Sequence, residues 1–80
     1  MLVIDNIVRM DICATVGLNI RKTRNSKKLS QEELAFQAGI DRSYLSEVEN
    51  GYKNLGIATL EQIAKALDVK VTSLFAGYKF

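Results

Sequence analysis

The stretch from Gln31 to Asn50, QEELAFQAGIDRSYLSEVEN, constrains the fold more than any other part of this chain. Leu34, Ala35 and Ala38 stand at i, i+1 and i+4, the apolar face of a short amphipathic helix. Gly39 supplies the positive-φ residue that ends such a helix. Ile40 follows as a buried corner. Asp41 carries a carboxylate that can accept a backbone N–H of a following helix. Leu45 and Val48 then give that second helix its inner face. Two helices that cross steeply need a small residue where they touch, and Ala35 meets that need. The pattern predicts helices over about 31–38 and 42–49 joined by a tight turn. The second helix of such a unit can enter the major groove of DNA.

Several features of the chain resemble the Cro and phage-repressor (Xre) helix-turn-helix family. They are the spacing Gln31, Leu34, Ala35, Gly39, Ile40, Leu45, Val48, the run Glu49-Asn50-Gly51, and the stretch from Thr59 to Val69, TLEQIAKALDV. The resemblance covers about residues 18–76. It implies an all-α fold, a compact five-helix bundle like the DNA-binding domain of phage repressors, with the helix-turn-helix at helices 2 and 3. The segment DRSYLSEVENGYKNLGIATLE is also similar to the controller proteins of restriction-modification systems, chiefly through Asp41-Arg42-Ser43-Tyr44.

The remaining elements follow from periodicity and caps. Residues 1–10 form an N-terminal arm for which strand, helix extension and partner contact all stand open. Residues 11–80 form the domain. Helix 1 is expected from about Asp11 to Ser26, with Asp11 near its start and Ile12, Val16 and Ile20 facing inward. Ser30-x-x-Glu33 is a capping box for helix 2, and Thr59-x-x-Gln62 reads as a second one for helix 4. Leu60, Ile63, Ala64 and Leu67 form the clearest amphipathic stripe. Phe36 is expected to cover the flank of helix 2. Thr72 to Phe75 is read as a short fifth helix ending at Gly77.

Eighty residues allow one domain. The single cysteine, Cys13, rules out an internal disulfide, fits a reducing compartment, and reads as a small buried hydrophobe. With no histidine and no cysteine pair, a conventional metal site or a histidine-based triad cannot be built. No Gly-rich phosphate loop or evident catalytic carboxylate pair suggests an enzyme, and no cofactor or small-molecule ligand is evident. The N-terminus lacks the basic region and long apolar core of a signal peptide. The expected location is the cytoplasm, with no membrane partner.

The net charge of +2 is too small to argue for nucleic acid by itself. Its distribution says more, because Arg21, Lys22, Arg24, Lys27 and Lys28 crowd into eight residues. A solvated helix face and a favourable interaction with the helix dipole both explain such a cluster. Beside a helix-turn-helix, phosphate contact becomes the better reading for some of it.

The expected partner is double-stranded operator DNA. Direct readout falls to the exposed face of helix 3, Arg42, Ser43, Ser46 and Glu47, with Arg42 suited to guanine O6 and N7. Tyr44 can lie along the groove wall and point its hydroxyl at a phosphate. The resemblance implies phosphate contacts from Gln31 and from the loop after helix 3, at Asn50, Lys53 and Asn54. It also implies an ion pair between Arg24 and Glu49 that holds helix 1 against the end of helix 3. A homodimer is expected through Val71, Phe75, Tyr78 and Phe80, with Leu74 plugging the core and the N-terminal arm as a rival or additional surface. The function that follows is a transcription regulator reading palindromic operators. The alternative is an antitoxin-type interaction module that also binds DNA.

Overall fold

The computed structural model describes the backbone of residues 2–80 and the side chains of residues 12–80. Four α-helices and a 3-10 helix follow one another: α1 (Leu2–Ser26), α2 (Gln31–Ala38), α3 (Arg42–Glu49), α4 (Ile57–Leu67) and the 3-10 helix Val71–Phe75. There is no strand among the described residues. The fold is all-helical, but the expected fifth α-helix is a 3-10 turn. Leu74 is fully buried within it, so this short element serves as the core plug.

α1 starts at Leu2, not near Asp11. No glycine or proline occurs between Leu2 and Val16, so nothing local stops the helix. Asp11 therefore lies inside the helix and is not its N-cap. The side chains of Leu2, Ile4 and Ile7, expected as a rival partner surface, lie outside the described residues.

α2 and α3 occupy the expected spans. Ser30 Oγ accepts from the Glu33 N–H at 3.0 Å, and the Glu33 carboxylate accepts from the Ser30 N–H at 2.8 Å. The capping box is thus complete. The Ser30 N–H, and secondarily its hydroxyl, hold the Glu33 carboxyl below its ordinary range. A depressed carboxyl contributes stability above the unfolded-state pKa, and that contribution is lost as pH falls through the folded one. Ser30→Ala should cost about 1 kcal/mol at neutral pH, seen as a lower Tm. An unchanged Tm would show that the box does not hold α2.

Gly39 closes α2 at φ +73°. Asp41 occupies the N-cap of α3 but makes no side-chain cap bond. Asn50 at the end of α3 keeps φ −87°, and only Gly51 enters the left-handed region there. α4 begins at Ile57 behind Gly56, two residues before the expected Thr59. The Gly56 carbonyl already accepts from the Leu60 N–H at 3.0 Å, so Thr59 lies within the helix and forms no second capping box. Asp68 ends α4 in the left-handed region at φ +58°.

The core is aliphatic. Ile20, Leu34, Leu45, Ile63, Leu67, Leu74 and Val48 are fully buried, with Val16, Ala35, Ala38, Leu60 and Ala64 beside them. Each large buried aliphatic contributes about 1.5–3 kcal/mol. α1 packs on α3 and on the 3-10 helix, while α2 packs on α3 and α4. Ala35, at 3% exposure, is the small residue at the crossing. Phe36 is 88% exposed, so it covers nothing on the flank of α2. It borders a shallow groove with Ala38 and with Gln62, Lys65 and Ala66 of α4. Cys13 is half-buried, not enclosed in the core. Among the described residues no helix is long and apolar enough to cross a membrane.

Candidate nucleic-acid interface

The site is organised from beneath by one buried carboxylate. Glu49, the last residue of α3, has a fully buried side chain. Arg24 on α1 grips it with two bonds, Nε to Oε2 at 2.7 Å and Nη2 to Oε1 at 3.0 Å. The third arm of the guanidinium, Nη1, donates to the Leu29 carbonyl at 2.9 Å and fixes the exit from α1. Gln31, opening α2, donates its amide to Glu49 Oε1 at 3.0 Å. Arg21 stands 3.5 Å from the same oxygen and donates to Asn50 Oδ1 at 2.8 Å. Three helices therefore converge on one anion. The bidentate geometry and the extra donors offset the cost of burying it. No buried side-chain polar atom among the described residues lacks a partner.

Above this base, Arg42 and Ser43 stand exposed on the first turn of α3. Glu47, one turn on, is also exposed and lies 3.7 Å from Lys53 in the loop after α3. Ser46 and Tyr44 are half-buried, and Tyr44 packs partly against the core. The Ser46 carbonyl accepts from Asn50 Nδ2 at 3.0 Å. Asn50 thus spends its side chain between Arg21 and Ser46, with one amide N–H left over. Lys53 and Asn54 are exposed in the loop. Lys22, Lys27 and Lys28 are exposed on the last turns of α1 and just beyond.

The sequence-expected residues fall into separate groups. Arg42, Ser43 and Glu47 are exposed on α3 with Lys53 beside Glu47, whereas Asn54 lines an apolar cleft that Phe75 also lines. Arg24, Gln31, Glu49 and Asn50 form the support underneath. Arg24 is only 12% exposed at its side chain, so it belongs to the support.

Sequence reasoning missed two parts of the framework. Gly17 on α1 lies against the carbonyl oxygens of Val48 and Glu49, so a Cβ there would overlap the backbone of α3. Asn19 Nδ2 donates to the Leu74 and Ala76 carbonyls, each at 2.9 Å, and ties α1 to the C-terminal segment. A glycine inside an otherwise uninterrupted amphipathic helix was the available signal for the first. The second had no local signal.

At the C-terminal end, Val71, Phe75 and Tyr78 are half-buried, while Phe80 is 92% exposed. The Phe80 ring sits 4.8 Å from Tyr78, edge to face, and 5.7 Å from Phe75. Phe75 also lines an apolar cleft of about 180 Å³ with Ile12, Cys13, Leu55, Ile57 and Leu60. Ile57 is 87% exposed at its rim.

The sequence pattern of the helix-turn-helix family matches residues 20–74. The control protein C.MunI of a Mycoplasma species is 39% identical over 67 residues, covering 82% of this chain and 90% of that protein. The crystal structure of the restriction-modification controller protein C.AhdI from Aeromonas hydrophila superposes with a TM-score of 0.77 at 41% identity, over 79% of this chain and 96% of that one. C.Esp1396I bound to a 25 base pair operator site gives a TM-score of 0.73 at 38% identity, over 80% of this chain and 84% of that one. A pattern that spans most of the domain, and a relative matched over nearly its full length, show that this chain belongs to the helix-turn-helix family.

Proposed function

We propose that this protein is a sequence-specific, double-stranded DNA-binding transcription regulator of the control-protein type, working in the cytoplasm as a homodimer on palindromic operators. α2 and α3 form its helix-turn-helix, with α3 as the reading helix. The observation that carries this reading is the exposed first turn of α3, with Arg42 and Ser43, standing on a buried network that fixes the far end of that helix. Direct readout demands such rigidity, because base-edge hydrogen bonds reward only side chains held in register. The operator complex of C.Esp1396I, a structure of the same fold, supports the choice of ligand.

Arg42 and Ser43 make the base contacts, with Ser46 and Glu47 further along the groove. The amide N–H of Gln31 that Glu49 does not take, at the N-terminus of α2, Tyr44, Lys53, Asn54 and the spare N–H of Asn50 face phosphates. A single short helix reads too few base pairs for useful specificity at physiological salt. Two copies related by a two-fold axis read half-sites about 34–36 Å apart. Val71, Phe75, Tyr78 and Phe80 supply the self-complementary surface. The support for this is an aromatic cluster, Phe80 exposed and Phe75 and Tyr78 half-buried, beside an apolar cleft, a patch that a monomer has little reason to expose.

Footprinting on DNA flanking the protein's own gene tests this function. The expected result is a protected segment with two-fold sequence symmetry. Absence of any discrete footprint there and on random-sequence selections would contradict it. Phe75→Ala should shift the chain toward monomer in sedimentation and weaken binding to the full palindrome more than to an isolated half-site. An equally strong dimer would take the C-terminal surface out of the interface.

A further inference from the structure

The reading helix and the C-terminal aromatic surface both rest on α1. On one face of α1, Ala14, Gly17, Arg21 and Arg24 follow at i, i+3, i+7 and i+10, the spacing of one helical stripe. This stripe meets the end of α3 backbone to backbone. A Cβ on Gly17 would overlap the Val48 carbonyl oxygen and lie 2.9 Å from that of Glu49. Gly51, at φ +79°, approaches so closely that its own Cβ would lie 3.0 Å from the Cα of Ala14. Arg21 and Arg24 lock the same contact by binding Asn50 and Glu49. Two residues from Gly17, Asn19 holds the carbonyls of Leu74 and Ala76 with both of its amide hydrogens. The route from α3 to the 3-10 helix through α1 crosses two interfaces, whereas the route through α2 and α4 crosses three.

We infer that α1 is the ruler that sets the distance between the two reading heads, with Gly17 and Asn19 as positioning residues that touch no base. This rests on the proposed dimer through the C-terminal surface. Gly17 fixes how closely α3 approaches α1, and Asn19 fixes where the dimer surface sits along α1. Restoring ordinary contact around a methyl group at position 17 requires an opening on the order of 1 Å. A two-fold axis doubles the component of such a displacement that lies perpendicular to it. The doubled shift is a sizeable part of the roughly 3.4 Å rise between base pairs.

The test is a spacing series. The affinity of the full chain is measured for the palindromic operator, for versions with one base pair inserted or removed between the half-sites, and for an isolated half-site. The unmodified protein should prefer one spacing. Gly17→Ala should change the spacing profile, read as the affinity for each spacing relative to the variant's own half-site affinity. Asn19→Ala, which adds no clash and keeps the helix, should flatten the preference, so that affinities for the three spacings converge while half-site affinity holds. A merely structural role would lower all affinities together and leave the spacing profile unmoved. If Gly17→Ala does not fold, Asn19→Ala decides alone, and an unchanged profile for it overturns the inference. An unmodified protein indifferent to spacing would overturn the dimeric reading, and the ruler with it. A spacing-sensitive unmodified protein whose variants keep its spacing profile would overturn the ruler alone.

Discussion

Arg24→Ala is expected to lower stability by about 3 kcal/mol and to weaken DNA binding at the same time. Removing one partner of a buried pair leaves the other charge uncompensated, which costs about 3–5 kcal/mol. Glu49 would keep Gln31 as a donor and the Arg21 charge 3.5 Å away, so the lower end of that range applies. In a domain of this size the Tm should fall by more than about 10 °C. Total stability of such domains is typically about 5–15 kcal/mol, so this one side chain decides a large fraction of it. The variant also frees the end of α3 from α1, so affinity measured well below the new Tm should still be reduced. Replacing both partners by apolar residues of similar volume, Arg24→Met with Glu49→Leu, should recover much of the stability. It should not recover the orientation of α3. A stable Arg24→Ala protein that has lost DNA binding would show instead that Arg24 faces the duplex.

The second large effect is expected at Arg42. Its side chain leaves the exposed first turn of α3 and has no role in the core. Arg42→Ala should therefore leave the Tm nearly unchanged and cost about 1–3 kcal/mol of specific binding in each half-site. A symmetric operator carries the loss twice. Competition against operators substituted at each base pair should show that preference has relaxed at one position per half-site. Binding that weakens equally on every operator variant would assign Arg42 to phosphates and remove it from the readout.

The contrast between these two arginines shows what the chain makes legible. The bounds of α2 and α3 are readable because their punctuation is local: the Ser30–Glu33 box, Gly39 and the apolar stripes lie within a few residues of the ends they set. The stripe of α4 is readable for the same reason, but its start is not. Thr59-x-x-Gln62 looks like a cap, yet Gly56 had already opened the helix. α1 runs past its expected start because no local residue opposes it. The meeting of Arg24 and Glu49, 25 residues apart, follows from the family resemblance and not from spacing. Gly17 stands out in the sequence only as an interruption of α1, and Asn19 has no local signal. A glycine within a helix reads as a weakness until the backbone it accommodates is known, and Asn19 acts on carbonyls more than fifty residues away. Phe36 is the reverse case, a large aromatic with no packing role in the described fold.

The central claim is that two copies of this chain read one palindrome. Sedimentation of the protein mixed with a short duplex carrying its footprinted operator tests that most directly. Two chains per duplex, with the complex forming cooperatively from the two half-sites, is the predicted result. One chain bound per palindromic duplex, at full specific affinity and with the second half-site left unprotected, would contradict it.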